Sequence, residues 1–382
     1  MALGSKAQLL GGVMATLRES PRQAGVGIVL LLASLGFVFF NETRSVERYT
    51  ALDQSADLVI SVAADHVDPS HEGALVHVRG GVQSAQELVD ETFGVKAQAL
   101  RLVRHVETYA WEETKREDKR KNEKGEEETV TTYAYTKRFV AVATDSSKFK
   151  ESESHKNPEK GAFSDQEFVA KDARLGGFVL PSEALTKLTK LEPVRVSQDM
   201  LARSAHATQL RELEGAAFFG KDVKDPQVGD LKISYQMVRP QAVSVVAKQS
   251  GGTFMPYQPG PEQSVFLVQS GEVESRAMFS AAKEDTSNVS LLLRALGVLF
   301  AAASLSLLLV PLAARRTFVP GLSRLPRVSA VVAALGIGNG LVFATMGGVW
   351  VAVRPALGAP LFVVSLVCFV LTGFAIVRAK NA

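Results

Sequence analysis

The stretch VSAVVAALGIGNGLVFATMGGVWVAV, Val328 to Val353, decides the fold. It carries no charged residue and is long enough to cross a hydrocarbon core as a helix. Within it Gly336, Gly340, Ala344 and Gly348 recur at every fourth position, so a helix places them along one groove that another backbone can approach closely. Asn339, midway along, is expected to hydrogen-bond to a neighbouring helix, with a role as an ion or substrate ligand as the alternative. The segment is read as a membrane span built to touch other helices.

Composition agrees only if apolar residues are segregated from charged ones. Of the 382 residues 46% are hydrophobic, yet 22% are charged. The apolar runs indeed lie near the two ends, with the charge between them. The net charge of +3 is too small to imply a basic face, which excludes nucleic-acid binding. Cys368, the single cysteine, lies in an apolar run, so no disulfide holds the middle region and it must fold on its own core.

Working outward, residues 1–23 read as an interfacial amphipathic segment, residues 24–40 as a first span retained as a signal anchor, 289–312 as a second, 328–353 as the third and 361–377 as the fourth. Arg18 and Arg22 precede the first span, Arg315, Arg316, Arg324 and Arg327 fill the loop 313–327, and Arg378 and Lys380 stand in the tail 378–382. By the positive-inside rule these three regions are cytoplasmic, which puts residues 41–288 and the turn 354–360 on the other side. The expected fold class is therefore an α-helical multi-pass membrane protein (four spans) with a large extracytoplasmic α+β domain between spans 1 and 2. Arg294, near the non-cytoplasmic end of the second span, is expected to snorkel to the interface.

In the middle region LRLVRHVETYAW (Leu100 to Trp111) and VTTYAYTKRFVAV (Val130 to Val142) alternate with period two and predict a hairpin. The intervening EETKREDKRKNEKGEEE has no apolar residue and predicts a solvated, mobile tip, with docking of a charged partner as the alternative. Helices are predicted at Ser182 to Leu191 and Gln198 to Leu213, and strands at Asp230 to Val238, Ala242 to Lys248 and Val265 to Gln269. Glu272 to Asn288 is expected to run helically into the second span.

Catalytic signatures are weak. GAAFFGKD, Gly215 to Asp222, fits the frame of a phosphate loop but puts Asp222 where a magnesium-binding hydroxyl is needed. DHVDPSHEG, Asp65 to Gly73, gathers His66, Asp68 and His71 in a loop that could hold a divalent metal, but a solvated turn around Pro69 is the favoured reading. Neither G-x-S-x-G nor H-E-x-x-H occurs. The chain is read as having no enzymatic activity and no cofactor.

Four stretches resemble the transmembrane protein 43 (LUMA) family: FFNETRSV at Phe39 to Val46, which carries Asn41, Glu42 and Arg44; LRLVRHVETYAWEE at Leu100 to Glu113, which carries His105, Tyr109 and Trp111; TYAYTKRF at Thr132 to Phe139; and GDLKISYQMVRPQAVSVVAKQSG at Gly229 to Gly251. The chain departs from the family at Arg138 and Phe139, where a tryptophan is expected. The resemblance implies a non-enzymatic, membrane-organising scaffold that self-associates into a homo-oligomer and binds other membrane proteins in the lipid bilayer. In animals it implies the endoplasmic reticulum and inner nuclear membrane. The Ala- and Arg-rich composition points instead to a bacterial member in the plasma (inner) membrane with a periplasmic domain. The alternatives are a membrane-tethered metal-dependent enzyme or sensor using Asp65 to Glu72, and a channel or transporter using Asn339 and Arg294.

Overall fold

The computed structural model describes residues 21–121, 127–159, 161–260, 262–314 and 327–381. The amphipathic segment expected over most of 1–23, the centre of the charged hairpin tip and nearly all of the basic loop 313–327 lie outside them. Four long helices are present: α1 (Pro21–Leu58), α2 (Ser275–Ala314), α3 (Arg327–Trp350) and α4 (Pro355–Asn381). Each contains a segment long and apolar enough to cross a membrane. The chain divides into two compact units, a helical one (residues 1–58, 258–265 and 279–382) and a sheet unit (59–257 and 266–278).

In the helical unit two expected boundaries move. α1 continues through NETRSVERYTALDQSADL to Leu58, where the sequence-based reading ended the span at residue 40. No Gly or Pro interrupts that polar stretch, so nothing stops the helix once it leaves the apolar run. The expected turn 354–360 is largely helical, because Pro355 opens α4, a position where its missing N–H leaves no bond unmade. α2 begins at Ser275 and runs unbroken into its apolar half, as the reading of Glu272 to Asn288 expected. Val38, Ala301, Val342 and Met346 form the buried contact among α1, α2 and α3. Ser34 Oγ adds a hydrogen bond to the Gly297 carbonyl at 3.0 Å.

The small-residue row of α3 packs within this chain. A Cβ on Gly336 would collide with Thr372, and one on Gly340 would lie 2.7 Å from Phe369 Cζ, both residues of α4. Ser365 Oγ donates to the Gly340 carbonyl at 2.7 Å. Ala344 is half-buried and Gly348 is exposed, with Phe362 as its nearest contact at 4.0 Å. Gly338, on another face, packs against the α2 backbone at Ala302. Absence of side chains is what allows these approaches. The expected hydrogen bond from Asn339 is not made by its Oδ1, which is buried with no partner among the described residues.

The sheet unit is β-rich, and the expected α+β class is corrected accordingly. The two expected helices shrink to Ser182–Thr186 and Gln198–Leu201. In the second case a hairpin wins: Leu210–Leu213 pairs with Ala216–Phe219 across Glu214 and Gly215, both at positive φ, the geometry that matches strand twist. The same strand absorbs the phosphate-loop-like GAAFFGKD. In one sheet Leu75–Gln83 and Ala242–Ser250 pair directly and also through Arg174–Leu175, Phe178–Val179 and Thr253–Met255, so the path closes on itself. The other is built on Arg101–Lys121, flanked by Leu231–Val238 and Glu127–Val140. One core joins both sheets, including Val76, Val245, Leu102, Ile233 and Phe254. Along residues 231–237 burial alternates residue by residue, as a strand with one face on the core must.

The predicted hairpin is real but longer than expected. Arg101–Lys121 and Glu127–Val140 pair continuously from Thr108↔Val140 to Lys121↔Glu127, so the charged stretch read as a mobile tip is mostly ordered strand. The ladder to Leu231–Val238 ends at Thr108, with Tyr109 still bonded to Asp230 and Gly229; beyond that the two strands have no third strand beside them and form a ribbon.

Candidate functional site

Glu42 and Arg294 sit where the polar half of α1 meets α2, and they form the most concentrated polar centre of the helical unit. Glu42 is fully buried, and the Arg294 side chain is 16% exposed. The guanidinium grips the carboxylate with two bonds, Nε to Oε1 at 2.7 Å and Nη2 to Oε2 at 2.6 Å. Trp350, the last residue of α3, donates its indole N–H to Oε2 at 2.6 Å, and Asn41 Nδ2 donates to Oε1 at 3.1 Å. Asn41 Nδ2 also reaches Ser290 Oγ at 3.1 Å, which is shared with Ser45 at 3.1 Å. A buried ion pair is tolerated when its remaining lone pairs are filled, and here four donors fill them. Arg294 is therefore not a snorkelling residue: its charge is met inside the bundle.

The chemistry open to this centre follows from its saturation. A carboxylate occupied by four donors has no lone pair to offer a substrate proton, so the geometry suits a fastener of α1, α2 and α3 better than a general base. Of the three residues of the FNETR motif, Asn41 and Glu42 join the centre, whereas Arg44 is exposed. From sequence, Glu42 stands out only as a motif position and Arg294 as a snorkelling charge or, alternatively, a transport residue; Trp350 does not stand out. The available signal was one carboxylate and one guanidinium at matching ends of two spans.

A second saturated centre lies in the sheet unit. Asp90 Oδ2 accepts from Arg104 Nη1 and from the Tyr235 hydroxyl, each at 2.7 Å, while Arg104 Nη2 reaches Gln166 Oε1 at 2.8 Å. Burial, and then the Asp90 carboxylate, push the Tyr235 phenol well above its ordinary range, so it stays a donor. None of these three was singled out from sequence.

The loop Asp65 to Glu72 does not assemble a metal site. Asp68 caps the turn Pro69–His71 by accepting from Ser70 N at 2.8 Å, which holds its carboxyl below the usual range. His71 lies 3.6 Å from Asp68, and Glu72 accepts from Gly251 N. Among the described residues no group of three His, Cys, Asp or Glu side chains is placed to hold a metal ion.

His105, Tyr109 and Trp111 lie along the strand Arg101–Lys121. His105 Nε2 is 3.2 Å from Gln236 Oε1, and Tyr109 packs on Phe139 at 5.0 Å. Around Trp111 the ribbon is braced: Asn157 accepts from Trp111 N at 2.7 Å and donates to its carbonyl at 2.9 Å, while His155 lies edge-on to the indole and stacks on Tyr135 at 3.7 Å. These residues stiffen the ribbon where it leaves the sheet.

Comparison with known proteins agrees with this architecture. A family model described as Transmembrane protein 43 matches residues 108–355, from the ribbon to the start of α4. The chain is 27% identical to Transmembrane protein 43 of Rattus norvegicus over 93% of this chain and 90% of the rat protein. It is also 27% identical to the Homo sapiens protein over 90% of this chain and 88% of that one. The Transmembrane protein 43 homolog of Drosophila melanogaster is 26% identical over 70% of this chain. No solved structure matches. A likeness that runs through both the sheet unit and the helical unit, over nearly the whole length of several relatives, makes this multi-pass membrane protein a member of the transmembrane protein 43 family.

Proposed function

We propose that the protein is a non-enzymatic membrane scaffold, which holds its sheet unit at a membrane and offers it to other membrane proteins. The observation that carries this reading is the ribbon beyond Thr108. An isolated two-stranded ribbon is marginal in water, so one this long, braced at Asn157 and paired in register to its end, is an investment in reach. Its faces are charged in both signs: Glu112 pairs with Arg138 across the strands, and Lys115 with Glu117 along one, while most of the outer residues remain exposed. Such edges resist strand addition, so partners are recognised through side chains rather than through new sheet pairing. The saturated centres at Glu42 and Asp90 suit a frame rather than a catalyst.

Self-association belongs to the same proposal, through surfaces other than the Gly336 and Gly340 seam, which α4 fills. The positive-inside pattern supports a sheet unit on the side opposite the basic loop. The test is proximity crosslinking and pull-down from native membranes. The wild-type chain is compared with one in which Lys115 is joined to Tyr133, its cross-strand partner, through Asn-Gly. The shortened chain should fold and insert but lose its crosslinked partners; an unchanged partner set would end this reading.

A further inference from the structure

We propose that the cleft beside the Glu42 centre is a binding site for a phosphate ester that also carries an ammonium group, the chemistry of a zwitterionic phospholipid headgroup. The cleft has a volume of about 410 Å³ and lies wholly within the helical unit, between the polar half of α1, the polar part of α2 from Ser280 to Arg294 and the junction of α3 with α4. That volume falls within the ordinary range of small-ligand sites.

Charge accounting identifies the ligand class. Arg294 lines the cleft but is neutralised by Glu42, and Lys283 is held by Asp53 at 2.6 Å. Two charged groups of the lining remain without an ion pair among the described residues: the Arg354 guanidinium and the Glu284 carboxylate. A lone anion would gain from Arg354 and be opposed by Glu284, and a lone cation the reverse. A phosphodiester tethered to an ammonium satisfies both, with the hydroxyl of Ser287 as a further donor. Arg294 Nη1, which makes no hydrogen bond among the described residues, offers one more.

The aromatic lining gives the depth. Trp350 and Tyr49 meet edge-on at 5.9 Å, and the Arg354 guanidinium lies 5.3 Å from the Tyr49 ring centre. Trp and Tyr gather at the level of lipid headgroups, and this pair stands at the end of the third span and beyond the first. Just along α2, Val289 and Leu291 are more than half exposed, an apolar surface for acyl chains below the headgroup. A phosphate ester dissolved in water would not need that surface.

Native mass spectrometry of the full chain, released from nanodiscs into detergent, tests the assignment. Dioctanoyl phosphatidylethanolamine, dioctanoyl phosphatidylglycerol, glycerophosphoethanolamine and inorganic phosphate are each offered separately. The ethanolamine lipid should be retained at least tenfold better than the other three. Arg354→Gln should abolish that preference, Arg354→Lys should restore part of it, and Glu284→Gln should narrow the gap between the two lipids. Both arginine variants alter an exposed residue, and unliganded thermal midpoints within a few degrees of wild type confirm that they fold. Equal retention of glycerophosphoethanolamine or phosphate would overturn the lipid assignment in favour of a soluble ester. Equal retention of both lipids, or no effect of Arg354→Gln, would overturn the site.

Discussion

At the scale of single residues, Glu42 is the side chain on which most depends. Removing one partner of a buried ion pair leaves the other charge uncompensated, which costs about 3–5 kcal/mol, while replacing both by apolar residues is often neutral. Glu42→Gln should therefore destabilise the helical unit by about that amount, and Glu42→Leu combined with Arg294→Met should recover most of it. Unfolding of the detergent-solubilised protein measures both, and a harmless Glu42→Gln would show that the pair is not fastening the helices. In the sheet unit His77 supplies a pH-dependent counterpart. The ring is buried, with Nε2 3.0 Å from the Val273 carbonyl and Nδ1 3.2 Å from Ser61 Oγ, and burial lowers its pKa. A base depressed in the folded state binds its proton more readily when unfolded. Its stabilisation is thus complete above about pH 6.5 and is lost as pH falls through the lower folded value. Amide protection factors across Leu75–Gln83, normalised to the intrinsic exchange rate at each pH, should fall between pH 7 and pH 5, and His77→Gln should flatten that dependence. An equally steep profile in the variant would assign the effect to another group.

At the scale of elements, the α3 and α4 pair shows what a small-residue stripe can and cannot say. From sequence the row Gly336, Gly340, Ala344 and Gly348 announced a close helix contact but left open whether a second copy or the same chain would supply the other helix. Thr372 and Phe369 answer for its first two glycines, Gly336 and Gly340. Gly340→Leu should therefore act on the fold of each chain, not on its assembly. The larger side chain has to displace the Phe369 ring, and overpacking of this kind costs about 1–3 kcal/mol. Adding Phe369→Ala opens the space and should return part of the loss, so the double variant should be more stable than the sum of the two single changes predicts. Strict additivity would show that the two residues do not meet. The ribbon carries the opposite lesson. The inner half of its first strand was legible because Leu102, Val106 and Ala110 share one face at period two. Its outer half was not, because Lys, Glu and Asp disfavour strands on their own. What overrides that preference is continuous pairing in register, including Glu112 with Arg138, together with the brace at Asn157.

At the scale of the whole molecule, the legible features were those carried by local runs of residues, and the illegible ones were those carried by pairs far apart in the chain. The four spans follow from hydropathy alone, because every backbone group in a bilayer must be satisfied within its own helix. The union of Glu42 with Arg294, of Asp90 with Tyr235, and the closed path of the first sheet depend on tertiary contacts that no window of sequence contains. Orientation is a further whole-chain property, and it yields the last prediction. The basic residues form three groups, before the first span, between the second and third, and after the fourth, and two spans separate each group from the next. Four spans bring all three to one face, so the positive-inside rule is satisfied three times by one topology and violated three times by its inverse. With Cys368 replaced by Ser, a cysteine at Lys119 in the ribbon should react with a membrane-impermeant maleimide only from the face opposite the one that exposes a cysteine at Leu322. Labelling of both from the same face would reject this arrangement, and labelling of each from the reverse face would show that the sheet unit's preference to remain untranslocated outweighs the basic residues.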